Sequence, residues 1–156
     1  MKFDLSPFVM ESNRIEGILP TTQAEVDATT KLVSDTGVVG VRELEQYIEI
    51  IAPHAQLRDK IGLDVQISDY RPTLGGPHVR DTLVRILKFM GLSSNDLINS
   101  YLLHKEYENL HPWTDGNGRS GRALWLRQIY WNDNATFRLV MKLGFLHIWY
   151  YHSFLR

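Results

Sequence analysis

Cysteine is absent from all 156 residues, which removes disulfides, thiolate metal sites and cysteine nucleophiles together. Net charge is nearly absent too: seventeen basic against eighteen acidic residues leave −1. That balance argues against broad electrostatic binding to nucleic acid or an anionic membrane surface, although a local basic site stays open. No stretch reaches the roughly 18 apolar residues needed to span a bilayer. The start, "MKFDLSPFVMESNRIEG", has no long apolar core behind a basic flank, so no secretory signal is expected and a cytoplasmic location is. Repeats and low-complexity tracts are also missing. What remains is 44% hydrophobic and 22% charged, the composition of one soluble domain over residues 1–156 with a core of its own.

The apolar pattern is mainly helical. "VRELEQYIEII" puts Val41, Leu44, Tyr47, Ile48 and Ile51 on one face, and Pro53 ends it. "PHVRDTLVRILKFMG" opens with Pro77 in a first turn, sends Val79, Leu83, Ile86, Leu87 and Met90 inward, and stops at Gly91. "SSNDLINSYLLHKEYENLH" offers Ser93, Ser94 or Asn95 as a cap and Leu97, Tyr101, Leu102 and Leu110 for the core. "GRSGRALWLRQIYW" is the next helix, burying Leu124 and Ile129 with Trp125 or Trp131. Only residues 63–75 look extended: Leu63, Val65 and Ile67 alternate with polar residues before a turn at Ser68–Asp69, which predicts a short hairpin. The apolar C-terminal run "LVMKLGFLHIWYYHSFL" calls for deep packing or a face shared with a second copy, which leaves a homo-oligomer open. The expected fold is a mainly α bundle with one small β element.

Between two of these helices lies "HPWTDGNGRSGR", residues 111–122. A surface turn would account for its glycines but not for the order of its other groups. If a helix begins near Asn117, Gly116 and Gly118 let backbone approach a ligand without a Cβ in the way. The amides there point outward at the positive end of that helix, a ready anion site. Arg119 and Arg122 share a helix face beside it and oppose the helix dipole, which favours an anionic partner. Asp115 would repel a phosphate unless a hard cation such as Mg2+ lies between them. His111 can act as a base near neutral pH. Anion cradle, metal ligand, base and cations together describe phosphoryl or nucleotidyl transfer.

These residues resemble the signature of the Fic (filamentation induced by cAMP) family, H-x-F-x-[D/E]-G-N-G-R-x-x-R. His111, Asp115, Gly116, Asn117, Gly118, Arg119 and Arg122 match. Trp113 stands where the family usually has Phe, an aromatic exchange that keeps an anchor for the loop. The resemblance implies a Fic-type helical bundle that transfers AMP from ATP to a hydroxyl side chain of a target protein or of itself. It implies His111 as base, Asp115 as Mg2+ ligand, and the backbone from Gly116 to Gly118 with the Asn117 side chain as the phosphate cradle. Arg119 would bind phosphate as well, and Arg122 would take the γ-phosphate. Residues 63–75 would be the flap that aligns a target segment by strand-like pairing.

Near the N-terminus, "SNRIEG" resembles the family's inhibitory motif, [S/T]-x-x-x-E-[G/N], through Ser12, Glu16 and Gly17. Ser12 and Glu16 are one helical turn apart, and Gly17 is a natural stop. Residues 8–18 would form an inhibitory helix whose Glu16 pairs with Arg122 and blocks the γ-phosphate. Three other readings stand beside this one: removal of AMP from a modified protein through Glu16, transfer of UMP or phosphate, and a nucleotide-binding module without catalysis. A zinc hydrolase is disfavoured because His104 and His111 lack a third ligand at standard spacing, and His104 is expected to be a packing histidine. No basic helix suggests a DNA-binding role.

Overall fold

The computed structural model describes residues 3–92 and 96–143, and among them are seven helices in the order α1 (Ser6–Ile15), α2 (Gln23–Ser34), α3 (Val41–Ile51), α4 (Pro77–Met90), α5 (Leu97–Leu110), α6 (Asn117–Asn132) and α7 (Asn134–Leu143). The fold is mainly α, as the periodicity predicts. The apolar run beyond residue 143 and the caps expected at Ser93, Ser94 and Asn95 lie outside the described residues. Asp96 caps α5 instead, accepting the Asn99 N–H at 2.7 Å.

Helix α1 is shifted from the expected residues 8–18. Pro7 sits in its first turn, where a missing N–H costs nothing. At the other end Gly17 takes φ 73°. The Ile18 N–H then reaches back to the Asn13 carbonyl at 2.9 Å and the Gly17 N–H to Arg14 at 3.0 Å. This double closure satisfies the last carbonyls and stops the helix at Ile15, leaving Glu16 as its cap. A reciprocal cap starts α2: the Glu25 N–H donates to Thr22 Oγ1, and the Thr22 N–H to the Glu25 carboxylate.

Helix α6 lies at the centre, packed against α1, α2, α3, α5 and α7. Its Ala123 and Leu124 join a core with Leu44, Ile48 and Ile51 of α3 and Leu83 and Ile86 of α4. Leu126 and Ile129 join a second core with Phe8 and Val9 of α1, Val26 and Val33 of α2 and Phe137 of α7. One helix therefore fixes α1 relative to α3 and α5. The inward faces expected for α3 and α4 are observed. That of α5 is observed only at Leu110: Leu97 and Leu102 are exposed, Tyr101 is half-buried, and Ser100, His104 and Tyr107 face inward beside Leu110. Trp125 is half-buried and Trp131 exposed, its indole N–H held by the Val33 carbonyl.

The hairpin at residues 63–75 exists in its smallest form. Ile67 and Tyr70 exchange two backbone hydrogen bonds of 2.8 Å around Ser68–Asp69, with Ser68 at φ 50°. No longer ladder forms among the described residues, and Ile67 points to solvent. The hairpin is pinned beside its turn by Tyr70, whose hydroxyl donates to the Asn109 carbonyl at 2.7 Å.

Candidate active site

The loop from His111 to Gly116 is the turn between α5 and α6, and buried hydrogen bonds set its path. His111 is the C-cap of α5 at φ 50° and ψ 62°, a left-handed conformation uncommon outside glycine. Trp113 turns inward, 2% exposed, and donates its indole N–H to the Tyr107 hydroxyl at 3.0 Å. Tyr107 in turn pairs with Ser120 Oγ at 2.7 Å, and Ser120 donates to the Gly116 carbonyl. Each hydroxyl has one proton, so the chain runs from Trp113 through Tyr107 and Ser120 to Gly116. Asn117 closes the loop from the other side: its carboxamide accepts the Trp113 N–H and donates to the Trp113 carbonyl, both at 2.8 Å. The Asn117 side chain is therefore a clasp on the loop, where the resemblance implies a phosphate contact for it. Neither Tyr107 nor Ser120 is legible in the sequence as part of the site, since a buried hydroxyl pair has no spacing signature.

Gly116 is the N-cap of α6 at φ 80°. A Cβ there would press on Ala52 and Ile48 at 3.1 and 3.3 Å, so glycine is required on both conformational and packing grounds. No side chain caps α6. The N–H groups of Asn117, Gly118 and Arg119 have no acceptor among the described residues. Three orphan donors at the positive end of a sixteen-residue helix form an anion seat. Asp115 stands at its lip with a side chain 72% exposed. Its Oδ1 accepts the Gly116 N–H at 2.6 Å and lies 3.7 Å from Arg119 Nη2. Arg119 itself runs inward, 6% exposed, and donates Nη1 to the Ile51 carbonyl at the end of α3.

Arg122 is 2% exposed and reaches α1. Its Nε donates to Ser12 Oγ at 2.8 Å, and Nη2 donates to the Ser12 carbonyl at 2.9 Å and to Glu16 Oε1 at 2.7 Å. The Glu16 carboxylate also abuts Gly118, where a Cβ would collide with it. An internal carboxylate thus occupies the space beside the orphan amides of α6. Gly17, by ending α1, aims Glu16 at this place. Asn13 holds that end of α1 against its neighbours, with its Nδ2 3.1 Å from Thr21 Oγ1 and 3.5 Å from Glu25 Oε1.

Burial shapes the charges behind the site. It pushes the Tyr47 hydroxyl up to about 12, against the Thr29 hydrogen bond and the positive charge of Arg119 and Arg122. It pushes His104 down to about 3, and the Arg122 charge adds to that. His104 is fully buried, bonded through Nδ1 to the Gly121 carbonyl and stacked on Trp125. It is a neutral packing histidine.

The residues fit Mg2+ held jointly with a substrate. Asp115 Oδ2 has no hydrogen bond among the described residues, and the carboxylate adjoins the anion seat. Among those residues no group of three or more His, Asp or Glu could hold an ion alone. One carboxylate plus phosphate oxygens and water is a common Mg2+ arrangement.

The Fic/DOC family model matches residues 47–129, from α3 through most of α6. The chain belongs to the Fic/DOC family. That membership places it among enzymes that transfer nucleotidyl or phosphate groups to proteins. The match covers the loop, the hairpin and their supporting helices and does not include α1. No curated protein matches the sequence. Among the described residues no helix is long and apolar enough to cross a membrane.

Proposed function

We propose that the chain is an autoinhibited protein adenylyltransferase, moving AMP from ATP to a hydroxyl side chain of a target protein or of itself. The observation that carries this reading is the pairing of an uncapped, glycine-lined helix start with an internal carboxylate beside it. Such a seat takes an anion, and Glu16 competes for the same arginine that a terminal phosphate needs.

In the open state the orphan amides of Asn117, Gly118 and Arg119 bind the phosphates of ATP, and Arg122 takes the γ-phosphate. Asp115 holds Mg2+, which supplies charge neutralisation at the phosphates. His111 accepts the proton of the acceptor hydroxyl. The hydroxyl oxygen bonds to the α-phosphorus, the bond from that phosphorus to the bridging oxygen breaks, and pyrophosphate leaves. The flap presents the acceptor segment beside His111.

In the closed state Glu16 and Ser12 hold Arg122. Two unit charges at 4 Å attract by about 4 kcal/mol at an effective dielectric of 20, and desolvation offsets part of that. A net bias of about 3 kcal/mol leaves fewer than about 1% of molecules open. One carboxylate is enough to hold the enzyme nearly silent.

The reverse reaction is the second reading. Glu16 Oε2 makes no hydrogen bond among the described residues, and its side chain is 39% exposed. A carboxylate so placed can orient water for removal of AMP from a modified protein. Glu16→Gly separates the two. With ATP labelled at the α-phosphate and Mg2+, the transferase reading expects protein labelling well above wild type, abolished by adding His111→Ala. The reverse reading expects Glu16→Gly to lose hydrolysis of AMP-modified protein.

A further inference from the structure

Arg58 is the most completely bonded residue near the site. It is fully buried, yet among the described residues no carboxylate pairs with its guanidinium. Its Nε donates to the His111 carbonyl at 2.7 Å, and Nη2 donates to the Leu110 carbonyl at 3.0 Å. Its Nη1 donates to Thr73 at 2.9 Å and to Leu63 at 3.2 Å, again to carbonyls. The backbone joins in: Arg58 N–H donates to the Pro112 carbonyl at 2.8 Å, and its own carbonyl accepts from Gly76 at 2.9 Å. Three consecutive carbonyls where α5 runs into the loop, Leu110 to Pro112, and both legs of the flap thus converge on one residue.

A buried cation with only neutral acceptors is a costly choice for a scaffold. It is compensated here by the C-terminal carbonyls of α5, which are left without helical partners and carry the negative end of the helix dipole. The last turn of α5 has no basic residue of its own. The flat guanidinium fork serves four carbonyls in two directions, which a lysine ammonium cannot reproduce. The residue it fixes on one side is His111, a histidine in a left-handed backbone. On the other side it fixes the segment carrying Ile67 and Tyr70.

We infer that Arg58 is a positioning residue that sets the distance between the His111 base and the flap, so that a hydroxyl held along the flap arrives within reach of that imidazole. The inference rests on the transferase reading of the site for its kinetic consequence, but its structural consequence stands alone. Arg58 touches neither phosphate nor acceptor; it acts through the His111 carbonyl and the flap legs. ATP binding at the start of α6 is independent of it.

The structural arm uses wild-type protein. In native-state hydrogen exchange the amides of Ile67, Tyr70 and Gly75 open together with the His111 amide, as one unit. Flap amides that exchange freely while His111 stays protected overturn the inference. The kinetic arm places Arg58→Lys in the Glu16→Gly background. With thermal midpoint and calorimetric ATP affinity close to the parent, kcat falls by about 100-fold, the scale of a misplaced reacting group. Parent-level kcat in a folded Arg58→Lys protein overturns the inference. Should Arg58→Lys not fold, or should the Glu16→Gly parent be silent, the exchange result decides. A silent parent counts against the transferase reading alone.

Discussion

The Glu16 carboxylate lies 2.7 Å from Arg122 Nη2 and against Gly118, whose missing Cβ makes room for it. Both contacts come from the far end of the chain, because Gly17 stops α1 and turns Glu16 toward the start of α6. The same arrangement positions an acid where an unliganded helix terminus would otherwise attract phosphate. On the proposed reading, loop chemistry and its restraint meet at one arginine.

Ser12 shares that arginine and gives a first prediction. Ser12→Ala removes the acceptor for Arg122 Nε and leaves a buried guanidinium N–H unbonded, at a cost of about 1–3 kcal/mol. In the proposed mechanism this bond belongs to the closed state alone, so basal labelling should rise, though less than for Glu16→Gly. Labelling that falls in Ser12→Ala would place Ser12 in the active machinery instead.

Gly17 tests the helix stop. At φ 73°, and with no atom within 4 Å of the place a Cβ would take, Gly17→Ala meets a conformational penalty and no steric one, about 1 kcal/mol. The urea midpoint should drop accordingly, and basal labelling should increase as Glu16 loses its aim. An unchanged midpoint would mean that the double closure at the end of α1 contributes nothing.

Trp113 is the position at which the loop departs from the family signature. Trp113→Phe loses the indole bond to Tyr107, but Tyr107 keeps Ser120, and Asn117 keeps its hold on the backbone of residue 113. The expected loss is about 1–2 kcal/mol in chemical denaturation. Labelling in the Glu16→Gly background should be retained. Loss of turnover with an intact fold would give the indole a direct part in the chemistry.

His104 makes stability depend on pH. Its folded value is about 3 against 6.5 for the free side chain, so below pH 6.5 the unfolded chain binds the extra proton. Its contribution is complete above that value and is lost as pH falls toward about 3, by at most about 1.4 kcal/mol per pH unit. Urea unfolding between pH 7 and pH 5 should show this slope in wild type and a shallower one in His104→Gln. Parallel slopes would remove His104 as the source.

Much of this arrangement is legible in the residues. Period 3.6 finds α3 and α4 because their buried faces are almost wholly apolar, and Gly17 and Gly116 announce left-handed turns. The face of α5 is misread because Leu97 and Leu102 are exposed, while Ser100, His104 and Tyr107, each with a polar group, are buried, and Tyr107 bonds to Trp113 of the loop. Arg119 and Asn117 sit at the anion seat as their spacing implies, yet their side chains bond to the carbonyl of Ile51 and the backbone of Trp113. Arg58 leaves no trace in the pattern, since all its partners are backbone carbonyls brought close only by folding. Local rules reach the loop and stop at contacts made across the bundle.

The most direct measurement of the central claim is intact-mass and peptide mass spectrometry of Glu16→Gly after incubation with ATP and Mg2+, beside wild type and the double variant with His111→Ala. Glu16→Gly should gain the mass of AMP on itself or on an added protein, at a Ser, Thr or Tyr. Wild type should gain little, and the double variant nothing. Glu16→Gly and wild type both remaining unmodified, with neither modifying any protein of a cell lysate, would contradict the account of a transferase held off by Glu16.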